Sequence, residues 1–341
     1  MSAAVTARQR RALGALAVLS PLLRLVPGSN LAAAGDAGWL APLFAMPAVA
    51  LYACVLRRIP QPKGRLRRGL CAAWAGYYGA FLLRMGAERF FSALTIFSHW
   101  LPFALVLAAL AAAAASGGEK PLGRASECLL PFVTAALVIV GLCAVPQMHF
   151  ARLKIVAAAD LPGILRASLP IANVGCTLLF ALHCFAPAHG AADGLRFAAR
   201  LTVTALALSA VAAGVLGSGV VTHLSHPFFV LLRNLSLSRS LERIEALVTA
   251  LWVLPDFAAL GLLLLLTRRE GAAALRRPLP AMVCAAALLA GAACFPASVF
   301  ALQRWSEQIV PAVNAAVFVF VPALDAVSGR KTDCQPRTDT V

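Results

Sequence analysis

"ALGALAVLSPLLRLVPGSNLAAAG", residues Ala12 to Gly35, is the stretch on which the fold turns. It is long enough to cross the roughly 30 Å hydrocarbon layer, which takes about 20 mostly apolar residues. Yet it contains Ser20-Pro21, Arg24 and Pro27-Gly28. A proline removes a backbone donor, and its ring clashes with the carbonyl one turn earlier. Unpaired backbone groups at membrane depth survive only inside protein or beside a cavity. The stretch therefore predicts a membrane helix interrupted near its middle and facing something other than lipid.

The rest of the chain repeats this character. Its 341 residues are 61% hydrophobic and only 13% charged, with a mean hydropathy of +0.82, far from an ordinary soluble domain. Apolar runs of spanning length fall near 11–33, 37–57, 70–93, 97–116, 128–146, 164–187, 197–221, 243–267, 279–302 and 307–327, about ten in all. The sixth, "LPGILRASLPIANVGCTLLFALHCFAP" (Leu161 to Pro187), again carries a proline, Pro170, beside Asn173 and Gly175. Interruptions in the first and sixth of ten spans are the pattern of a five-plus-five inverted repeat. The expected fold is an all-α integral membrane protein, transporter-like, with interrupted helices 1 and 6. Residues 1–327 form one polytopic domain, and 328–341 a short polar cytoplasmic tail.

Lys and Arg number 30 against 14 Asp and Glu, a net charge of +16. Such a charge raises the question of nucleic acid, but the basic residues gather in alternate loops, which is the positive-inside pattern and places both termini in the cytoplasm. The cluster Arg57, Arg58, Lys63, Arg65, Arg67 and Arg68 has no interleaved aromatics. It reads as a topology anchor drawn to anionic lipid, with no nucleic-acid partner. Arg8, Arg10 and Arg11 precede the first apolar run without a small-residue cleavage site, so that run reads as a signal anchor. The nine cysteines form no CxxC and no Cys/His spacing, which predicts no metal site and no cofactor. Nucleophile elbow, HExxH, phosphate loop and dinucleotide fingerprint are all missing from the sequence, so an enzyme is not expected.

Charged residues inside spans single themselves out because burying them is costly. In "WAGYYGAFLLRMGAERFFS" (Trp74 to Ser92) the spacing puts Tyr77, Arg84 and Glu88 on one helical face, where Arg84 and Glu88 can pair. In the eighth span Glu245, Thr249, Trp252 and Asp256 fall on one stripe, with Asp256 following Pro255. An intramembrane carboxylate can contact a ligand, relay an ion or bond a neighbouring helix. Candidate ligand-binding residues are Ser20, Arg24, Tyr77, Asn173, Gly175 and Thr177. Candidate signalling or ion-relay residues are Arg84, Glu88, Glu242, Glu245, Trp252 and Asp256.

The segment "PFFVLLRNLSLSRSLERIEALVTALWVLPDF" (Pro227 to Phe257), with Glu242, Arg243 and Glu245 at its centre, resembles the corresponding stretch of spore germination permeases. These are the B subunits of nutrient germinant receptors. "AVTARQRRALGALAVLSPLLRLVPG" (from Ala4) resembles their start and "LLRMGAERFFS" (from Leu82) their third helix. The resemblance implies a ten-helix fold of the amino acid, polyamine and organocation transporter superfamily. It further implies residence in the spore inner membrane, A-type and lipoprotein C-type partner subunits, and a small germinant, typically an amino acid, bound at the broken helices. Transporters of that superfamily commonly unwind helix 1 at a Gly-Ser/Thr-Gly-like motif. Here Leu19-Ser20-Pro21-Leu22 stands without the glycines, which shifts the expected ligand contacts towards Asn173, Gly175 and Thr177. An ion-coupled secondary transporter of amino acids or related solutes is the alternative reading, and a scaffolding or pore-forming subunit a third.

Overall fold

The computed structural model describes residues 5–59, 61–62, 64–94, 99–154, 157–185, 191–224, 227–234 and 252–332. Glu242 and Glu245, with Thr249, lie outside the described residues, so the stripe of the eighth span is described only at Trp252 and Asp256. The described elements are helical, in the order α1 (Ala7–Ala34), α2 (Ala41–Arg57), α3 (Arg65–Leu94), α4 (Leu101–Gly117), α5 (Glu119–Ala144), α6 (Leu161–Phe185) and α7 (Ala191–Val215). There follow the short α8 (Ser218–Val221) and α9 (Pro227–Asn234), then α10 (Val253–Leu275), α11 (Ala281–Ala293), α12 (Val299–Arg304), a π-helical turn (Trp305–Ile309) and α13 (Val310–Thr332). Thus α5 begins earlier than hydropathy predicts, and α13 continues into the segment expected as a polar tail.

α1 opens with a reciprocal cap. The Gln9 amide N–H donates to Thr6 Oγ1 and the Thr6 N–H to Gln9 Oε1, each at 3.2 Å, which satisfies two orphan donors of the first turn. The helix then runs 28 residues without a break, and α6 runs 25 with Pro170 inside it. The interruptions expected in helices 1 and 6 are not there. A proline removes one rung of the ladder, and the flanking rungs hold where neighbours pack tightly. α1 packs against α5, α6, α7 and α10, and α6 against α1 and α2. At Gly175 a Cβ would lie 2.8 Å from Val49 of α2, so only glycine permits this approach.

α3 and α10 form the most extensive helix pair, flanked by α4 and α11. The layering follows polarity. Gly28–Arg57, Glu119–Gln147, Ala158–Phe185 and Ala192–Val215 combine spanning length with high hydropathy, and Leu101–Gly117 and Ala281–Ala293 are shorter apolar helices. Only 17% of the α5 window is buried, against 78% for α6, so α5 is an outer helix and α6 an inner one. Phe132, Leu142, Leu51 and Met282 point outward and are exposed. An apolar exterior of this extent has lipid as its solvent. The chain is a multi-pass integral membrane protein, and the inner helices α1, α3 and α10 carry its buried charges.

Candidate functional site

Three inner helices meet at Asp256, in the first turn of α10. The Ser20 hydroxyl of α1 donates to Asp256 Oδ1 at 2.6 Å, and Arg89 Nη2 of α3 donates to Oδ2. All three side chains are buried. α3 approaches closely because Gly86 faces the acid: a Cβ there would lie 3.1 Å from Asp256 Oδ2. The Arg89 guanidinium also sits 5.0 Å from the Trp252 ring, and Trp252 meets Phe228 of α9 edge to face at 4.8 Å. Trp252 and Asp256, one turn apart, therefore grip the same arginine. This is how the buried carboxylate becomes tolerable: it is paired, and each of its oxygens accepts a hydrogen bond.

Arg24 lies one turn beyond Ser20, and its Nε donates to the Ser20 carbonyl at 3.3 Å. Its Nη1 is buried and has no hydrogen-bond partner among the described residues. The charged groups acting on it are Asp256 and Arg89. Arg89 takes the ion pair with Asp256 and Arg24 has none among the described residues, which leaves a surplus positive charge inside the helix bundle.

That surplus faces a cavity of about 30 Å³ between α1, α3, α6 and α13, lined by Arg24, Tyr78, Phe81, Asn173 and Asn314 among others. Its walls are tied across helices. Asn173 Nδ2 donates to the Pro311 carbonyl at 2.9 Å, and Trp74 Nε1 to Asn314 Oδ1 at 2.9 Å. The π-helical turn 305–309 sits directly before Val310 and Pro311 of this wall. Turns of this kind often mark functional positions, because the extra residue re-aims the side chains around it.

The structure therefore brings Ser20, Arg24, Trp252 and Asp256 into one network, with Asn173 across the cavity. Among the described residues, Tyr77, Gly175, Thr177, Arg84 and Glu88 lie outside it. Gly175 faces Val49 and Leu201 and is a packing position. Thr177, one turn beyond Asn173, is fully buried with its hydroxyl unpartnered among the described residues. Arg84 and Glu88 pair as expected, and Arg84 lies 4.2 Å from the Trp100 ring with Nη2 donating to the Ala297 carbonyl at 3.3 Å. This ionic face looks towards the start of α4 and the α11–α12 connection, away from the central cavity. Tyr77, on the same side, lines a separate apolar cavity of about 590 Å³ with Phe295 and Trp305.

Sequence reasoning missed Arg89, Tyr78, Trp74 and Asn314. For Arg89 a signal existed: an acid inside a span calls for a cation inside another, and Arg89 is one residue round from the face already noticed. Tyr78 is adjacent to Tyr77 in the same way. Nothing local distinguishes Asn314.

Comparison with protein-family models and with curated proteins returns no match. Among solved structures, the chain is similar to MhsT in complex with L-phenylalanine, with a TM-score of 0.70 at 13% identity over 94% of this chain and 88% of that one. It is also similar to the Eremococcus coleocola manganese transporter in complex with an aromatic bis-isothiourea substituted compound, with a TM-score of 0.49 at 16% identity over 93% and 76%. The first likeness establishes the fold as an all-α membrane transporter fold.

Proposed function

We propose that the protein is a membrane carrier of a small solute bearing an anionic group, such as the carboxylate of an amino acid, bound at the cavity between α1, α3, α6 and α13. The observation that carries this reading is Arg24: a guanidinium with a buried, unpartnered Nη1 beside a carboxylate that Arg89 already neutralises. A buried donor left unpaired costs about 1–3 kcal/mol, and more for a charged group. An arriving carboxylate supplies both the acceptor and the missing negative charge. Asn173 offers an amide opposite, and Tyr78 and Phe81 an aromatic wall for the rest of the solute. The L-phenylalanine in the MhsT complex is in keeping with this class of ligand. In this reading residues 1–327 work as one polytopic domain with both termini cytoplasmic, supported by the Arg57 to Arg68 cluster.

A sensing role, in which the bound solute signals to A-type and C-type germinant-receptor subunits in a spore inner membrane, draws on the resemblance of Pro227 to Phe257. One experiment separates the two. Purified protein in proteoliposomes is given labelled amino acids under an imposed ion gradient. Carrier function predicts uptake above protein-free vesicles, lost in Arg24→Gln. Binding without uptake would favour the sensor, and neither binding nor uptake by any small carboxylate would remove the central-site reading.

A further inference from the structure

Far from the central cavity, where α1 and α7 begin and α6 ends, a groove carries Arg10, Arg11, Arg196 and Arg200 against one carboxylate, Asp193. Asp193 does not satisfy them: its oxygens lie 3.9 Å from Arg10 Nη1 and 3.8 Å from Arg196 Nη1, at the limit of ion pairing. Arg10 is only 7% exposed, and its Nε is buried with no hydrogen-bond partner among the described residues. A guanidinium held in this way is an unfilled donor site for a planar or tetrahedral oxyanion.

The groove's other wall is apolar, formed by Leu182 and Phe197 among others. On α7 the spacing of four and then three residues puts Arg196, Arg200 and Val203 on one face. Both arginines are exposed, and Val203 is 66% exposed. The face passes from cationic to exposed apolar within one turn, as a surface does at the boundary between headgroups and acyl chains. The room is about 30 Å³. A single water needs about 10–15 Å³, so the groove admits phosphate oxygens and not a whole metabolite.

We infer that this groove binds the phosphate of an anionic phospholipid headgroup, with Arg10, Arg196 and Arg200 as donors and the acyl chains running along the exposed face of α7 at Val203. Free phosphate shares the oxyanion chemistry. The apolar continuation of the face favours the lipid, and cationic pockets between membrane helices suit acidic headgroups.

The test is native mass spectrometry and thermal unfolding of the full chain in detergent with phosphatidylglycerol, phosphatidylcholine or inorganic phosphate added separately. Phosphatidylglycerol should be retained and should raise Tm more than phosphatidylcholine does. Because Arg196 and Arg200 are exposed, Arg196→Gln and Arg200→Gln should leave the fold intact and weaken phosphatidylglycerol binding about fivefold for each arginine removed. The corresponding lysine variants should recover most of the loss. Equal retention of the two lipids, unchanged affinity in the glutamine double variant, or an equal Tm gain from inorganic phosphate would overturn the inference.

Discussion

Asp256 is held by partners from two other helices, the Ser20 hydroxyl and the Arg89 guanidinium, so its removal acts on the whole inner bundle. Asp256→Ala leaves Arg89 buried without its counter-charge. Breaking a buried pair in this way costs about 3–5 kcal/mol, so we expect a large fall in Tm in detergent, while Asp256→Asn, which keeps the acceptor for Ser20, should lose less. Equal Tm values for the alanine variant and the wild type would refute the pairing. Ser20, Arg24 and Asp256 were legible in the sequence because a polar or charged side chain in an apolar span has to be explained. Their mutual contact was not, since residues 236 apart in the chain meet only through the packing of α1 on α10. Arg89 was visible as a charge and not as a partner for the same reason.

Hydropathy made the apolar helices legible, but the reading misjudged what proline does to them. α1 and α6 stay continuous because neighbours on several sides hold the backbone either side of Pro21 and Pro170, and tertiary packing of that kind leaves no local trace. Gly175 illustrates the point. It attracted notice as a possible ligand contact, whereas it admits Val49 of α2. Gly175→Ala should therefore overpack the α2–α6 contact and cost about 1–3 kcal/mol, read as a lower Tm with unchanged solute affinity. A change in affinity without a change in Tm would return Gly175 to the binding site.

The connection between α1 and α2 makes a second, pH-dependent element contact. The Ser218 hydroxyl donates to Asp36 Oδ1 at 2.5 Å, and Lys154 Nζ lies 3.3 Å from Oδ2. The Ser218 hydrogen bond is the main cause holding the Asp36 carboxyl below its ordinary value; burial opposes it, and Lys154 adds to the lowering. The folded state thus prefers the carboxylate. The contact is fully present above the unfolded value of about 3.9 and is lost as pH falls through the depressed folded one. Amide exchange in residues 35–40 should be flat from neutral pH to about pH 5, once corrected for intrinsic exchange, and rise below about pH 4. Asp36→Asn should remove that rise, and a rise centred near neutral pH would contradict the assignment.

For the molecule as a whole, the central cavity of about 30 Å³ is an order of magnitude below the roughly 300 Å³ at which small-molecule pockets begin. The described conformation is therefore closed around its site. Opening it requires α1 and α6 to move against α3 and α13, with the tie Asn173 to Pro311 as the contact to be exchanged, while the tie Trp74 to Asn314 holds α3 and α13 together. Closure is also maintained at the end where α10 finishes. There Arg269 pairs with Glu119 of α5 and donates to the carbonyls of Cys184 and Phe185 at the end of α6. Such a bundle has two faces to close around its charged centre at Asp256. The centre is what a solute would have to recognise.

The central claim is that Arg24 carries an unmatched positive charge that the solute neutralises. Equilibrium binding of a panel of labelled small carboxylates and their neutral amides to the purified protein tests it most directly, with wild type, Arg24→Lys and Arg24→Gln side by side. The account predicts that a carboxylate binds and its amide does not, that Arg24→Lys weakens binding, and that Arg24→Gln abolishes it without lowering Tm. Equal binding of acid and amide, or undiminished binding by Arg24→Gln, would contradict it.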